Sequence, residues 1–344
     1  MTNSITLTAL LVALSGVKSK YQLFIRKNIA TVCFIDWRSV SEIMTFELDT
    51  EYPDCAFNIG GVPKFKKKDK VISLTAGEYT SSLLIDRGSS IQRADTTCDL
   101  CLDVSVRDLG KIEHQQTITA IHLTNGLNAV IDCVSSDTSN QILTMINLDS
   151  NGTFAATDGH VLSTFGDTFS LTRKSLNFKP AVLTLIQGLS NQAIVIEADG
   201  RLCNITSGAI RAQIPVVGGY PDYALVLAQQ RISNVVRVNA KKLHTALTPH
   251  ANAKQKFVIS VVNGCFVLNA GDRSILSSCP IIEQSNNKSK LAYCFYPPAL
   301  TRVLKNMEGD IELCLPTEAT GVFIIRSIDN KITKIAMPVL LHIS

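Results

Sequence analysis

The residues best placed to do chemistry are an acid and a base two positions apart, in Ala156-Thr157-Asp158-Gly159-His160. A carboxylate at that spacing can orient an imidazole, the minimal equipment for acid–base work. The same residues also read as a tight hairpin. Phe154 to Thr157 and Val161 to Phe165 are strand-like, and Asp158-Gly159 offers the positive φ that a type I′ turn demands. Spacing alone favours the turn. The remaining inventory is thin: the six histidines form no H-E-x-x-H or H-x-H, and the chain has no G-x-S-x-G elbow, no G-x-x-x-x-G-K-[ST] loop and no G-x-G-x-x-G after a strand. Metal hydrolysis, nucleotide hydrolysis and dinucleotide binding therefore lack their physical equipment. Cys98 and Cys101 have the spacing of half a zinc site, but no second C-x-x-C or histidine pair completes four ligands, so neither a metal nor another cofactor is expected.

The elements that position these residues follow a repeat. Leu7, Leu10, Leu11 and Leu14 mark one helix face directly after the strand-like Ser4 to Leu7. The template returns at Leu127, Val130, Ile131 and Val134 after a strand-like Ile118 to Leu123, and at Ala240, Leu243 and Leu247 after Val235 to Val238, with Thr8, Thr124 and Asn239 available as N-caps. A second helix is expected half a unit later, on Val182, Leu185, Ile186 and Leu189 and on Leu300, Val303, Leu304 and Met307, each opening with Pro-Ala. Hairpins should follow at Ala193 to Glu197 with Arg201 to Thr206, and at Asp310 to Leu315 with Val322 to Ser327. The first unit should hold its second helix around Phe57 to Lys68, where Gly60, Gly61 and Pro63 interrupt the period. The reading is an α+β chain of three repeated domains, 1–108, 109–233 and 234–344, each with two helices on antiparallel sheets, packed end to end.

Composition agrees with a fully folded chain. Of 344 residues 46% are hydrophobic and 18% charged, so several cores can be buried, and a net charge of +4 excludes a histone-like polycation while allowing one basic face. Cys33, Cys203, Cys265 and Cys314 lie in apolar strand-like runs and read as buried free thiols. Ile5 to Gly16 has the apolarity of a signal peptide, but Met1 to Ser4 carries no positive side chain and the pattern recurs internally, so a cytoplasmic protein is expected. No apolar run approaches bilayer length.

Ala156-Thr157-Asp158-Gly159-His160-Val161-Leu162 resembles the A-T-D-G-H-R-L signature of the bacterial sliding clamp, the beta subunit of DNA polymerase III. Tyr220-Pro221-Asp222-Tyr223 with Val226-Leu227 is similar to that family's F-P-D-Y-x-x-V-L, and Ile335-Ala336-Met337-Pro338-Val339 to its closing V-V-M-P-M run. Phe295 to Met307 resembles the second helix of its third domain. The likeness covers the second and third domains; the first, the divergent one, matches by position and length. It implies a homodimeric ring that encircles double-stranded DNA without regard to sequence, associated with the nucleoid, and tethers the replicative polymerase as a processivity factor without catalysis of its own. A ring retains its cargo by topology and effective concentration, so a mildly basic lining suffices. Lys64, Lys66, Lys67, Lys68, Lys70, Arg173, Lys174, Lys179, Lys241, Lys242, Arg302 and Lys305 would face DNA.

The resemblance also implies a pocket that takes short peptides of polymerases and of the clamp loader. Its lining would be Thr157, Gly159, His160, Leu162, Pro221, Val226, Ile335, Ala336, Met337, Pro338, Val339 and Leu341, with Ile142 aligned less securely. Where the family carries arginine, this chain has Val161, Leu225 and Leu340, so the partner peptide should be more apolar or differently charged. His342 to Ser344 extends past the family's usual end. Two alternatives stay open: a clamp-like ring serving repair, recombination or inhibition of a replisome, and an enzyme using Asp158 and His160.

Overall fold

The computed structural model describes residues 4–337 except 18, 37–38, 58–63, 77–79, 98–105, 167–174, 251–256, 270–274, 286–292, 296 and 319–320. Its helices are α1 (Leu7–Leu14), α2 (Ala120–Val130), α3 (Pro180–Leu189), α4 (Tyr223–Ala228), α5 (Ala240–Leu247) and α6 (Pro297–Leu304). The apolar periodicity is what buries them: Leu7, Leu10, Leu11 and Leu14 of α1, Val182, Leu185 and Ile186 of α3, Ala240, Leu243 and Leu247 of α5, and Leu300, Val303 and Leu304 of α6 are all in the core. The caps partly differ from expectation. Asn239 caps α5, accepting from the Lys242 N–H. The hydroxyl of Thr6, not Thr8, caps α1, and Thr119, not Thr124, accepts from the His122 N–H at the start of α2. The apolar Ile118 to Leu123 run misleads here: its strand ends at Ile118, and the rest is the first turn of the helix.

Among the described residues, the expected second helix of the first repeat is not seen. Phe57 ends a strand, 58–63 lie outside the described residues, and 64–69 make a turn. The buried Asp69 carboxylate organises that turn, accepting from the Lys66 N–H at 2.9 Å and pairing with Arg87, while the Phe65 N–H donates to Ser15 Oγ at 2.7 Å. Both donors meet Oδ2, while the buried Oδ1 has no hydrogen-bond partner among the described residues, so one carboxylate oxygen fixes the turn.

Contact density divides the chain into two units. One comprises Met1–Thr124 with Phe178–Val217, the other Asn125–Asn177 with Gly218–Ser344, so the stretch 109–233 contributes to both. The first unit holds a six-stranded sheet in the order Tyr21–Asp36, Ser39–Phe57, Ile210–Pro215, Leu202–Ser207, Ile194–Ala198, His114–Ile118, and a three-stranded sheet, Lys70–Ala76, Thr80–Asp86, Ile91–Thr97. The other holds a twelve-stranded sheet. Its central run is Phe154–Thr157, Val161–Phe165, Ile332–Ala336, Phe323–Ser327, Asp310–Pro316 and Ile232–Asn239. All neighbours in that run are antiparallel, and pairing of Leu162 with Ile335 makes the sheet continuous across distant parts of the chain. Antiparallel strands can present one face to a core and the other to different helices, and this sheet does so.

Cys33, Cys203 and Cys314 are buried free thiols and Cys265 is half-buried; Cys98 and Cys101 lie outside the described residues. Burial pushes the Cys33 thiol up to about 11 and the Cys203 thiol to about 12. No group of acids, histidines and cysteines among the described residues could hold a metal. No described helix is long and apolar enough to cross a membrane.

Candidate functional site

The hairpin forms as its residues require. Phe154–Thr157 and Val161–Phe165 are paired strands, and Gly159 sits at φ +90°. Asp158 and His160 do not have positive φ, so the turn is not the expected type I′, which needs it at both central positions. Asp158 instead builds the turn with its side chain: Oδ1 accepts from the N–H groups of His160 (2.8 Å) and Val161 (2.9 Å). Thr157 Oγ1 donates to the Val161 carbonyl at 2.6 Å and accepts from the Gly159 N–H.

Two further segments converge on this hairpin. The Ile332–Ala336 strand pairs with Val161–Phe165, and one residue on, the Met337 N–H donates to the His160 carbonyl at 2.9 Å. Helix α4 lies over the same sheet face. Its N-cap Asp222 accepts from the Leu225 N–H at 2.7 Å, and its buried Tyr223 and Ala224 pack with Ala155, Leu162, Cys314, Val322, Ile324 and Ile335. Two tyrosines fasten it. The Tyr220 hydroxyl accepts from the Thr157 N–H at 3.0 Å, and the Tyr223 hydroxyl donates to the buried carboxylate of Asp149. Around this core, Val226, Leu225 and Met337 are 39%, 49% and 42% exposed, so apolar side chains from two segments, α4 and the end of the Ile332–Ala336 strand, reach the surface. Of the expected lining, Gly159, His160, Pro221, Val226 and Met337 are exposed, Thr157, Leu162 and Ile335 are buried, the last two in the core beneath α4, and Ala336, also buried, alternates to the other face of the sheet. Ile142 lies half-buried in the Gln141–Thr144 turn; Pro338, Val339 and Leu341 lie outside the described residues.

The acid of the turn is not poised for proton transfer. Burial alone would raise the Asp158 carboxyl, but the Val161 N–H, the Arg302 guanidinium and the His160 N–H together outweigh it and hold it below its ordinary value. Arg302 of α6 pairs with Asp158 Oδ2, and the His160 side chain is exposed. Both Asp158 oxygens are thus engaged by the turn and by Arg302, and among the described residues none of its hydrogen bonds goes to the His160 ring.

The other sheet face anchors helices. Ser163 Oγ donates to the Ala129 carbonyl of α2 at 2.7 Å, and the fully buried Lys334 donates from Nζ to the Lys305 carbonyl, beyond α6, at 2.8 Å. Burial holds the Lys334 ammonium below the ordinary lysine value. Lys305 Nζ in turn meets Asp132 Oδ1 at 2.7 Å, with Asn306 Nδ2 on the second oxygen at 2.8 Å. These polar ties surround buried groups that would be costly to leave unpaired.

The basic residues separate by surroundings. Lys64, Lys66, Lys67, Lys68 and Lys70 are exposed on the turn anchored by Asp69, and Lys241 and Lys242 are exposed on α5. Lys179 differs from the expectation of a solvent-facing charge: it is 13% exposed and meets the buried Glu42 carboxylate at 2.9 Å, a pair that relieves the cost of burying Glu42. Arg302 and Lys305 keep part of their surface exposed but are engaged with Asp158 and Asp132. Arg173 and Lys174 lie outside the described residues. Sequence reading missed the roles of Tyr220, Tyr223 and Lys334. The two tyrosines stood within the recognised motif, but a buried lysine in an apolar strand gives no such signal.

No family model matches the chain, and no curated protein matches it. Solved structures do. The DNA polymerase III beta subunit of Thermotoga maritima aligns with a TM-score of 0.74 at 17% identity, covering 98% of each chain. That of Borrelia burgdorferi aligns at 0.73 and 13% identity over 97% of this chain and 96% of its own, and that of Pseudomonas aeruginosa at 0.67 and 17% over 97% of each. Identities this low speak to the fold, and they speak to nearly all of it: the chain has the architecture of a bacterial sliding clamp over almost its whole length.

Proposed function

We propose that the chain is a DNA sliding clamp, a non-catalytic processivity factor that encircles duplex DNA as a ring of two copies and presents a docking surface to a polymerase and a clamp loader. The observation that carries the reading is the meeting of the Thr157–Leu162 hairpin, the Pro221–Val226 segment and Ile335–Met337 on one half-apolar surface. Separate segments held by a rigid sheet give a preformed groove, the economical way to bind a short peptide with leucine and phenylalanine anchors. Pro338, Val339 and Leu341 would complete it. The three repeats, 1–108, 109–233 and 234–344, would each supply one sixth of the ring.

Positive charge in this reading comes from the exposed lysines at 64–70 and from Lys241 and Lys242, with Arg173 and Lys174 added. Modest charge is adequate because a closed ring holds DNA by linkage, and weak phosphate contacts let it slide. The test joins mass measurement in solution with retention on nicked circular DNA. A dimer that stays on circles and leaves when they are linearised is expected; a monomer without retention would overturn the proposal.

A further inference from the structure

The helices differ sharply in charge. None of α1, α2 and α3 contains a lysine, arginine, aspartate or glutamate, and Lys179, at the start of α3, is paired with Glu42. Positive charge within the helices is confined to α5 and to α6 with Lys305 just beyond it. Arg302 meets Asp158 and Lys305 meets Asp132, so among the described residues Lys241, Lys242 and His244 of α5 are the basic helix residues with no carboxylate on them. A polyanion lying along the helices would find its counter-charge on α5.

Lys241 and His244 are neighbours on one face of α5 and open onto a cavity of about 340 Å³, with Lys305 and Glu308 across it. At about 30 Å³ per water, that is room for a phosphate group and part of its hydration shell. Thr248 fixes how the His244 ring meets it. The Thr248 hydroxyl has one hydrogen, which goes to the His244 carbonyl at 2.7 Å, so at its longer 3.4 Å contact with Nδ1 the hydroxyl oxygen accepts. The neutral ring therefore carries its proton on Nδ1 and offers the cavity the lone pair of Nε2, which repels an oxyanion. Protonation makes Nε2 a charged donor beside the Lys241 ammonium. The titratable groups facing this ring are Lys241, Lys305 with its partner Asp132, and Glu308. Those on the other elements against α5 are engaged elsewhere: Arg302 with Asp158, Arg237 with Glu283 and Asp310, His250 against the Phe257 ring, and buried Cys279 by Lys242.

We propose that the cavity between α5 and the end of α6 seats a backbone phosphate of duplex DNA, and that His244 binds it only as the imidazolium, so that contact takes up a proton. The inference rests on the DNA reading above and adds to it a regulated contact: the hold on DNA tightens as pH falls through the range where imidazoles gain charge.

The experiment uses the full chain and a short linear duplex labelled with rhodamine, with fluorescence anisotropy at about pH 5.5 and about pH 8 across a salt series. One added phosphate contact at an exposed site predicts binding at least about fivefold tighter at the lower pH, with a salt slope steeper by about one charge per protomer. His244→Gln should hold the weaker affinity at both pH values, and His244→Lys the tighter affinity and steeper slope at both. His122→Gln, on α2, should keep the response of the unaltered protein. A flat pH response in the unaltered protein would overturn the inference, as would a response that survives in His244→Gln or is lost in His122→Gln. Absence of binding at either pH would overturn the DNA reading and this inference with it, an outcome distinct from binding that ignores pH.

Discussion

Removing the Arg302 guanidinium should loosen the turn that carries Gly159 and His160. Arg302 is 36% exposed and its partner Asp158 15%, so the pair lies between two regimes. A hydrogen bond to a charged group contributes about 1.5–3 kcal/mol, an exposed ion pair about 0–1. Half exposure brings the expected coupling to about 1–2 kcal/mol. Asp158 keeps its two backbone donors after the change, which limits the loss. For a chain of 344 residues an effect of that size lowers the melting temperature by only about 2 °C. Urea unfolding of Arg302→Ala, Asp158→Asn and the double variant is therefore the better assay, since the cycle isolates the pairwise part. The double variant should be less destabilised than the sum of the singles by about 1–2 kcal/mol. Additivity within about 0.3 kcal/mol would refute the argument that this pair holds the turn.

Other expectations follow from the same geometry. Met337→Glu or Val226→Glu, at exposed positions, should leave the urea midpoint nearly unchanged, within about 0.5 kcal/mol, yet weaken binding of an apolar peptide at least about tenfold; equal binding would place the peptide elsewhere. Lys66→Glu, Lys67→Glu and Lys68→Glu together should shorten retention on nicked circles, and Lys241→Glu with Lys242→Glu should reduce the salt dependence of DNA association by about two charges. The lowered Lys334 ammonium makes the native chain release its proton before the unfolded chain does. Stability should therefore rise as pH increases from neutral toward the ordinary lysine value of 10.5, and this rise should be missing in Lys334→Met, as followed by chemical denaturation across pH. Leu162→Ala in the buried sheet face should cost about 2–5 kcal/mol.

The parts visible in the sequence are those governed by short-range rules. The leucine spacing of α1, the proline opening of α3 and the asparagine cap of α5 depend on neighbours within a turn, and each was readable. The hairpin at Asp158-Gly159 was readable as a hairpin, while its turn type was not, because the Asp158 side chain does work expected of the backbone. What the chain conceals is long range. Arg302 meets Asp158 across 144 positions, and Lys179 meets Glu42 across 137, and no local pattern tells a helix-surface cation from one with an internal carboxylate. Thr119 was missed for a related reason: an apolar run split between a strand and a helix keeps the period of neither.

The pairing of the Val161–Phe165 and Ile332–Ala336 strands has a consequence for the order of events in the cell. It joins residues 169 positions apart, as between Thr164 and Thr333, so the chain must close a very long loop before this ladder forms. On a ribosome, the hairpin and α4 emerge well before residues 332–337, and in that interval the hairpin strand waits with one edge unpaired. A docking surface built on these segments, as proposed, would therefore be a late product of synthesis. A nascent chain can offer Thr157 and His160 but not the strand that places Met337 beside them, so a partner could be recruited only once synthesis has passed residue 337.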